Sequence, residues 1–141
     1  MFSGEQAHQL DAKNRIRIPA KFKSEITEKM VFCKGTTPCI FVLPKSEFEK
    51  MAEKFSSVSL FDAEMQESLS FFMSSFEEVD EDNQGRILIP PALREYAGID
   101  KNVITVGVFN RLEIWSEEFR KEAAKRKSYA ERMKDLHERT M

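Results

Sequence analysis

A nine-residue stretch that occurs twice constrains the fold of this chain more than any other feature. The first copy, DAKNRIRIP, spans residues 11–19, and the second, DNQGRILIP, spans residues 82–90. The copies begin 71 residues apart and share the aspartate, the arginine, both isoleucines and the proline. The sequence therefore predicts two similar halves within a chain of 141 residues.

Each copy is predicted to form a turn that leads into a β-strand. The aspartate favours a turn because its carboxylate accepts hydrogen bonds from backbone N–H groups two residues further on. Gly85 tolerates a positive φ, and Asn14 is the next most tolerant residue type at the matching position. The same aspartate and arginine could simply hold the turn together, and for a single copy this is the simpler interpretation.

The residues after the turn alternate between the two faces of the predicted strand. Ile16 and Ile18 are expected to face the core, with Arg15 and Arg17 on the opposite face. The matching residues of the second copy are Ile87 and Ile89 on the core side and Arg86 and Leu88 on the other. The closing proline of each copy then favours the start of a short helix.

The repeat extends beyond the motif and divides the chain into four segments. A hairpin follows each short helix, with strands at 31–33 and 39–43 in the first half and 103–106 and 112–115 in the second. The predicted segments are repeat 1 at 5–49, inter-repeat helices at 50–75, repeat 2 at 76–120 and a charged C-terminal helix or tail at 121–141.

Phenylalanine and methionine residues follow a helical spacing between the two halves. Ser46 with Glu49 predicts a capping box, and Asp62 and Ser116 are predicted N-caps of later helices. The apolar positions are Phe48, Met51, Ala52, Phe55, Met65, Leu69, Phe72, Met73 and Phe76. We expect these stripes to pack into the core, and the alternative is a surface against a neighbouring subunit.

The overall charge gives no support for nucleic-acid binding, so charge has to be considered locally. The formal net charge is −2. Residues 1–23 carry five lysine or arginine side chains against two carboxylates, whereas residues 77–94 carry two against five. The first copy of the motif is therefore the more basic one.

Several other function classes receive no support from the sequence. Cys33 and Cys39 lack a nearby histidine, which disfavours a metal site and suits small buried residues in a reducing cytosol. We expect no cofactor. The N-terminal residues lack the charged region and the apolar run of a secretion signal, so we expect none. We also expect no membrane span, because no apolar run approaches the ~20 residues that a bilayer requires.

Catalysis is also disfavoured. His8 and His137 stand at opposite ends of the chain. Asp11 and Asp82 could meet through the duplication, but the neighbouring arginine should lower the pKa of each carboxyl, which suits a turn better than a general acid.

The repeated motif resembles the signature of the MraZ family, whose chains contain two tandem AbrB-type DNA-binding units. The family pattern reads Asp, any residue, Lys, Gly, Arg, then a hydrophobic strand and Pro. The first copy has Asn14 in place of the glycine, and the second has Gln84 in place of the lysine. Both copies keep the aspartate and the arginine.

The resemblance implies an α+β fold in which two AbrB-like units form one pseudo-symmetric small barrel with packed helices. It also implies a ring-forming homo-oligomer larger than a dimer. The implied function is sequence-specific transcriptional regulation through binding of double-stranded DNA. The expected targets are repeated boxes in the chain's own promoter and a cell-wall and cell-division gene cluster, and the expected location is the nucleoid in the cytoplasm. The alternative is an oligomeric ring that acts through protein–protein interaction.

Carried over to this sequence, the resemblance also implies a set of site residues. The expected DNA-binding residues are Lys13, Asn14, Arg15, Arg17, Lys21, Gln84, Gly85 and Arg86, with Lys23 and Arg94 as further candidates. For Arg17, Lys21 and Lys23 the alternative is a solvated surface charge. Asp11 and Asp82 are expected to form the turns, because DNA phosphates repel carboxylates. The first copy should supply most of the salt-dependent affinity, so we expect Arg15→Ala to weaken binding more than Arg86→Ala.

Overall fold

Eight strands and six helices make up the computed structural model, which describes residues 1–141. The first half contains β1 (Glu5–Gln9), β2 (Arg15–Arg17), α1 (Ala20–Lys23), β3 (Met30–Lys34), β4 (Ile40–Pro44) and α2 (Lys45–Phe55). The remainder contains α3 (Ala63–Met73), β5 (Glu77–Val79), β6 (Arg86–Leu88), α4 (Pro91–Tyr96), β7 (Asn102–Val108), β8 (Arg111–Ser116), α5 (Glu117–Arg126) and α6 (Tyr129–Thr140). The α+β class and both predicted hairpins are confirmed.

The strands form two antiparallel sheets. Six of them lie in the order β1-β7-β8-β4-β3-β5, and β2 pairs with β6 in a separate two-stranded ribbon. The strands β1 to β4 of the first half correspond to β5 to β8 of the second. Reading inward from one edge gives β1, β7 and β8, and reading inward from the other gives the corresponding strands β5, β3 and β4. At the centre of the large sheet Phe41 lies opposite Glu113, and in the ribbon Ile16 lies opposite Ile87.

The strands do not close into the small barrel that the resemblance implied. β1 and β5 form opposite edges of the large sheet, and each pairs with a single neighbour. The repeated turns carry the chain out of the sheet directly after these edge strands. The short strands β2 and β6 therefore pair with each other and do not extend the ladder. The result is an open sheet covered by a ribbon, and ring formation by several copies stays a prediction.

The main core lies between one face of the large sheet and the ribbon. It contains 17 buried residues, among them Ile16 and Ile87 of the ribbon and Leu112 and Ile114 of the central strand β8. Full burial of an aliphatic side chain of this size contributes about 1.5–3 kcal/mol. The predicted core face of both motif strands is thus confirmed, and it fixes which face of the ribbon is exposed.

The opposite face of the large sheet carries a second, smaller cluster. Cys39, Trp115 and Ala123 are buried there, with Phe119 packed against them. Successive strand residues point to opposite faces, so the face of β8 opposite Ile114 also carries the buried Glu113. Helix α5 covers this part of the sheet.

The expected packing of the helical stripes into the core is wrong. No residue of α2 or α3 is fully buried. The aromatic rings pack mainly on one another, with 4.8 Å between the ring centres of Phe48 and Phe76 and 5.9 Å between those of Phe55 and Phe72. The two helices form a peripheral layer because the core is already filled by the sheet, the ribbon and the short helices.

The predicted capping box at Ser46 and Glu49 is wrong as well. Strand β4 runs directly into α2, which begins at Lys45 with Pro44 as its N-cap and no capping side chain. The Ser46 backbone N–H and hydroxyl instead donate to the Glu28 carboxylate, at 2.7 and 2.9 Å. The predicted caps Asp62 and Ser116 are confirmed.

The C-terminal segment contains two helices, because a capping box at Ser128 starts α6 after α5 has ended. None of the six helices combines the length and apolar character needed to cross a membrane.

Candidate nucleic-acid interface

The two repeated turns have the same hydrogen-bonded geometry. In the first turn the backbone N–H groups of Lys13 and Arg15 both donate to Asp11 Oδ1 at 2.9 Å, and Arg15 Nε donates to Asp11 Oδ2 at 2.7 Å. The second turn repeats all three bonds at the same distances, with Asp82 as acceptor and Gln84 and Arg86 as donors. The turn-forming role expected for both aspartates therefore agrees with their geometry.

Both turns contain one residue in the left-handed region. Asn14 has a φ of 61° and Gly85 a φ of 75°. Asparagine is one of the few residues with a side chain that adopts this conformation readily. The departure from glycine in the first copy thus leaves the turn unchanged.

The hydrogen bonds within the turns hold both carboxyls in the ionised form. The Arg86 N–H is the largest influence on Asp82 and, with the Gln84 N–H and the Arg86 guanidinium, holds its pKa at about 2, against an ordinary 3.8. The Arg15 N–H lowers the pKa of Asp11 in the same way. A carboxyl with such a low pKa is ionised at neutral pH and cannot serve as a general acid.

The structure brings the two turns together. Arg15 Nη1 of the first turn lies 3.9 Å from Asp82 Oδ2 of the second. The Ile89 backbone N–H donates to the Asn14 carbonyl oxygen at 3.2 Å, which adds a second link between the motifs. The two motifs, which begin 71 positions apart in sequence, therefore share one surface.

The exposed side of the ribbon, which we call the ribbon face, consists of Arg15, Arg17, Arg86 and Leu88. Arg17 lies opposite Arg86, and Arg15 lies opposite Leu88. Leu88 is 61% exposed, which is high for a leucine in a strand. Alternation along the strand correctly predicted that Leu88 lies on this face, but Leu88 was not among the expected DNA-binding residues. Its position among basic residues could have indicated such a role.

The cations of this surface differ in how far they are already paired. The Arg15 and Arg86 side chains are each 24% exposed, and their Nε atoms are bound to the aspartates. Lys13 and Arg17 are exposed and form no ion pair, and Gln84 is exposed in the second turn. The first copy therefore holds the cations that are free to meet an anion.

The remaining candidates lie around the turns with different surroundings. Lys21 Nζ donates to the Glu5 carbonyl oxygen at 3.3 Å. Lys23 pairs with Glu81 beside Gly85, so a lysine of the first half stands next to the second turn. Arg94 on α4 is partly buried and forms no ion pair.

The two cysteine thiols are shielded from solvent. Cys33 and Cys39 are free and buried, and burial is the main cause that raises the pKa of each thiol to about 12. No group of three or more histidine, cysteine, aspartate or glutamate side chains is arranged to hold a metal ion.

Comparison with known proteins identifies the family. The profile of the MraZ family, described as "MraZ protein, putative antitoxin-like", matches residues 1–70 and 72–139. The chain belongs to the MraZ family. The resemblance carried by the repeated motif is thereby confirmed, and the two matched segments begin 71 residues apart, as the two motifs do.

Relatives within the MraZ family cover nearly the whole chain. The transcriptional regulator MraZ of Syntrophomonas wolfei is 48% identical over 118 residues, which are 84% of this chain and 82% of that protein. The transcriptional regulator MraZ of Clostridium acetobutylicum is 39% identical over 140 residues, with 96% and 99% covered. That of Moorella thermoacetica is 42% identical over 141 residues, with the same coverage.

Proposed function

We propose that this chain is a transcriptional regulator that binds double-stranded DNA through the ribbon face and the two adjoining turns. The observation that carries the proposal is the β2–β6 pairing, which gathers Arg15, Arg17 and Arg86 on one exposed surface. A two-stranded antiparallel ribbon fits into the major groove of B-DNA, where base edges can be distinguished. The names of the relatives, transcriptional regulator MraZ, support the same function.

The proposed roles of the side chains follow from their surroundings. Lys13 and Arg17 are unpaired and suit phosphate contacts, which position the protein on the duplex. Arg15 and Arg86 are oriented by their aspartates and suit bidentate bonds to guanine through their Nη atoms.

The turn residues have distinct proposed roles. Gln84 suits adenine, Asn14 and Gly85 allow the turn backbone to approach the DNA closely, and Lys21 adds a phosphate contact at the edge. The positive φ of Asn14 and Gly85 supports the role assigned to the turn backbone.

We further propose that the two halves act as tandem AbrB-like units and that several chains form a ring larger than a dimer. One ribbon covers only a few base pairs, so a single contact is weak, and a ring gains affinity for repeated boxes through effective concentration. The exposed Phe61, just before α3, and Phe71, on α3, at 96% and 75% exposure, support a contact between copies. The proposed targets are the chain's own promoter and a cell-wall and cell-division cluster, which corresponds to action at the nucleoid in the cytoplasm.

A DNA-binding assay with the chain's own upstream DNA tests the proposal. We expect the double variant Lys13→Gln/Arg17→Gln to bind at least tenfold more weakly than the wild type, and its salt slope to be smaller by about 1.8, since each phosphate contact contributes about 0.9. The control Lys125→Gln/Arg139→Gln removes the same charge from α5 and α6 and should bind like the wild type. Equal weakening by both double variants would contradict the assignment of the ribbon face.

The second candidate function is a ring that binds only protein partners, which the net charge of −2 and the exposed apolar layer of α2 and α3 favour. This function predicts no DNA binding in the same assay.

Light scattering tests whether several chains form a ring. We expect a mass of several chains, and a mass near 16.4 kDa at micromolar concentration would contradict the ring.

A further inference from the structure

A cavity of about 530 Å³ lies on the face of the large sheet opposite the ribbon. The sheet supplies its floor, and α5 and α6 supply one wall. Its charged lining residues are Glu5, Arg111, Glu113, Arg120, Lys121, Arg126 and Arg132. Five cations thus face two carboxylates in a chain whose net charge is −2.

Both oxygens of the Glu113 carboxylate, at the floor of the cavity, accept hydrogen bonds from neighbouring side chains. Glu113 is only 7% exposed, and its Oε1 accepts from Trp115 Nε1 at 2.9 Å. Its Oε2 accepts from Arg111 Nε and Nη2 at 3.1 and 2.8 Å. The Arg111 guanidinium lies 4.7 Å from the Phe41 ring centre, which fixes the pair from the other side. The charge of Glu113 is therefore neutralised inside the protein by Arg111, so Glu113 does not pair with Arg120, Arg126 or Arg132.

Lys121 pairs with the Glu117 carboxylate at 2.8 Å, whereas the three arginines of α5 and α6 lack a carboxylate partner within the chain. The Arg120 guanidinium lies 5.0 Å from the Trp115 ring centre and forms no ion pair. Arg126 forms no ion pair or side-chain hydrogen bond, and Arg132 uses one Nη2 hydrogen bond, at 2.6 Å, on the Ala123 carbonyl oxygen. A guanidinium held next to an aromatic ring keeps N–H groups that can still donate hydrogen bonds to an anion.

We propose that this cavity binds a phosphate-bearing small molecule, with Arg120 and Arg126 as its main anchors. Guanidinium groups match phosphate oxygens with paired, charge-assisted hydrogen bonds. The volume lies within the roughly 300–1,000 Å³ typical of small-molecule sites, so a diphosphate with an attached group can enter. The cavity and the ribbon face lie on opposite sides of the large sheet, which favours a small molecule over the DNA backbone. The site is independent of the proposed DNA contact.

The single tryptophan of the chain provides a direct readout of this site. We expect sodium pyrophosphate, added to the full chain at constant ionic strength, to change the Trp115 emission with saturation at one molecule per chain. Arg120→Gln and Arg126→Gln should each weaken binding about tenfold or more, because each removes charge-assisted hydrogen bonds. Arg139→Gln, an equal charge change on α6 outside the cavity, should bind like the wild type.

Titration calorimetry measures the same affinities without relying on Trp115 emission, and circular dichroism checks that each variant is folded. Arg126→Gln leaves the Arg120–Trp115 contact intact, so it remains decisive even if Arg120→Gln disturbs the fold. The proposal is overturned by the absence of saturable binding, by equal affinity for citrate, or by full binding to the Arg126 variant. It is also overturned if Trp115 emission responds to promoter DNA or to chain concentration but not to pyrophosphate, because DNA or a second copy then covers the cavity.

Discussion

Arg15 of the first motif lies 3.9 Å from the Asp82 carboxylate of the second motif, and this contact joins the two turns electrostatically. Asp82 accepts three hydrogen bonds within its own turn and lies near the arginine of the other. Asp82 therefore helps to position the arginine side chains of both motifs. The ribbon face is thus one unit built from two halves, and changes in either motif should affect the other.

The Asp82 carboxyl should contribute to acid sensitivity. Its pKa is about 2 in the folded chain against an ordinary 3.8, so the unfolded chain takes up the proton first as the pH falls. The stabilisation is therefore complete above the unfolded value, decreases as the pH falls below 3.8, and is lost below about 2. We expect Asp82→Asn to lower stability at pH 7 and to flatten the pH dependence in that window.

Urea unfolding at a series of pH values measures this effect. Asp100→Asn is the control, because the Asp100 side chain is exposed and forms no ion pair. A wild-type curve that is parallel to the Asp82→Asn curve between pH 4 and pH 2 would show that Asp82 is not responsible.

The left-handed residues of the turns give a second prediction. Asn14→Ala and Gly85→Ala should each destabilise the chain by about 1–2 kcal/mol, because residues with a Cβ avoid a φ near 61° or 75° unless their side chain helps. Asn14→Gly should change stability by less than about 0.5 kcal/mol, since glycine accepts the same φ at the cost of some chain entropy. Asn83→Ala, in the second turn at a negative φ, is the matched control in urea unfolding. A loss for Asn14→Gly as large as for Asn14→Ala would contradict this account.

The local geometry of the motif could be predicted from the sequence because short-range chemistry determines it. The hydrogen bonds of Asp82, the positive φ of Asn14 and the buried positions of Ile16 and Ile87 all depend on residues a few positions apart or on simple alternation. These features need no knowledge of the rest of the fold.

The contacts that could not be predicted join residues far apart in the chain. The Glu28–Ser46 hydrogen bonds replace a capping box that the local sequence favoured. The open edges β1 and β5 depend on how the turns leave the sheet, and the peripheral position of Phe55 depends on a core already filled by other elements. The pairing of Lys23 with Glu81 likewise appears only once the halves are packed together.

The exposed position of Leu88 gives a prediction about base recognition. Its exposed side chain on the ribbon face suits contact with the methyl group of thymine. Replacing the contacted thymine by uracil should weaken wild-type binding about fourfold, the equivalent of one buried methyl group. The affinities of Leu88→Ala for the thymine-containing and the uracil-containing DNA should differ less than those of the wild type. A uracil series in a binding assay measures this, and an unchanged preference in Leu88→Ala would remove Leu88 from the contact.

The structure changes which arginine best tests the inequality of the two copies. Arg15 and Arg86 both orient a turn through their aspartates, so removing either disturbs local structure as well as charge. Arg17 has no such partner, and the second copy carries Leu88 at the matching position. Arg17→Leu therefore gives the first copy the residue that the second already has.

The most direct test of the account is the salt dependence of promoter binding by the wild type, Arg17→Leu and the control Arg139→Leu. We expect Arg17→Leu to bind more weakly and its slope of log affinity against log salt to be smaller by about 0.9, the value for one phosphate contact. Arg139→Leu should match the wild type, and circular dichroism and light scattering should be unchanged in both. An Arg17→Leu slope equal to that of the wild type, in a folded protein of unchanged mass, would contradict DNA binding through the ribbon face.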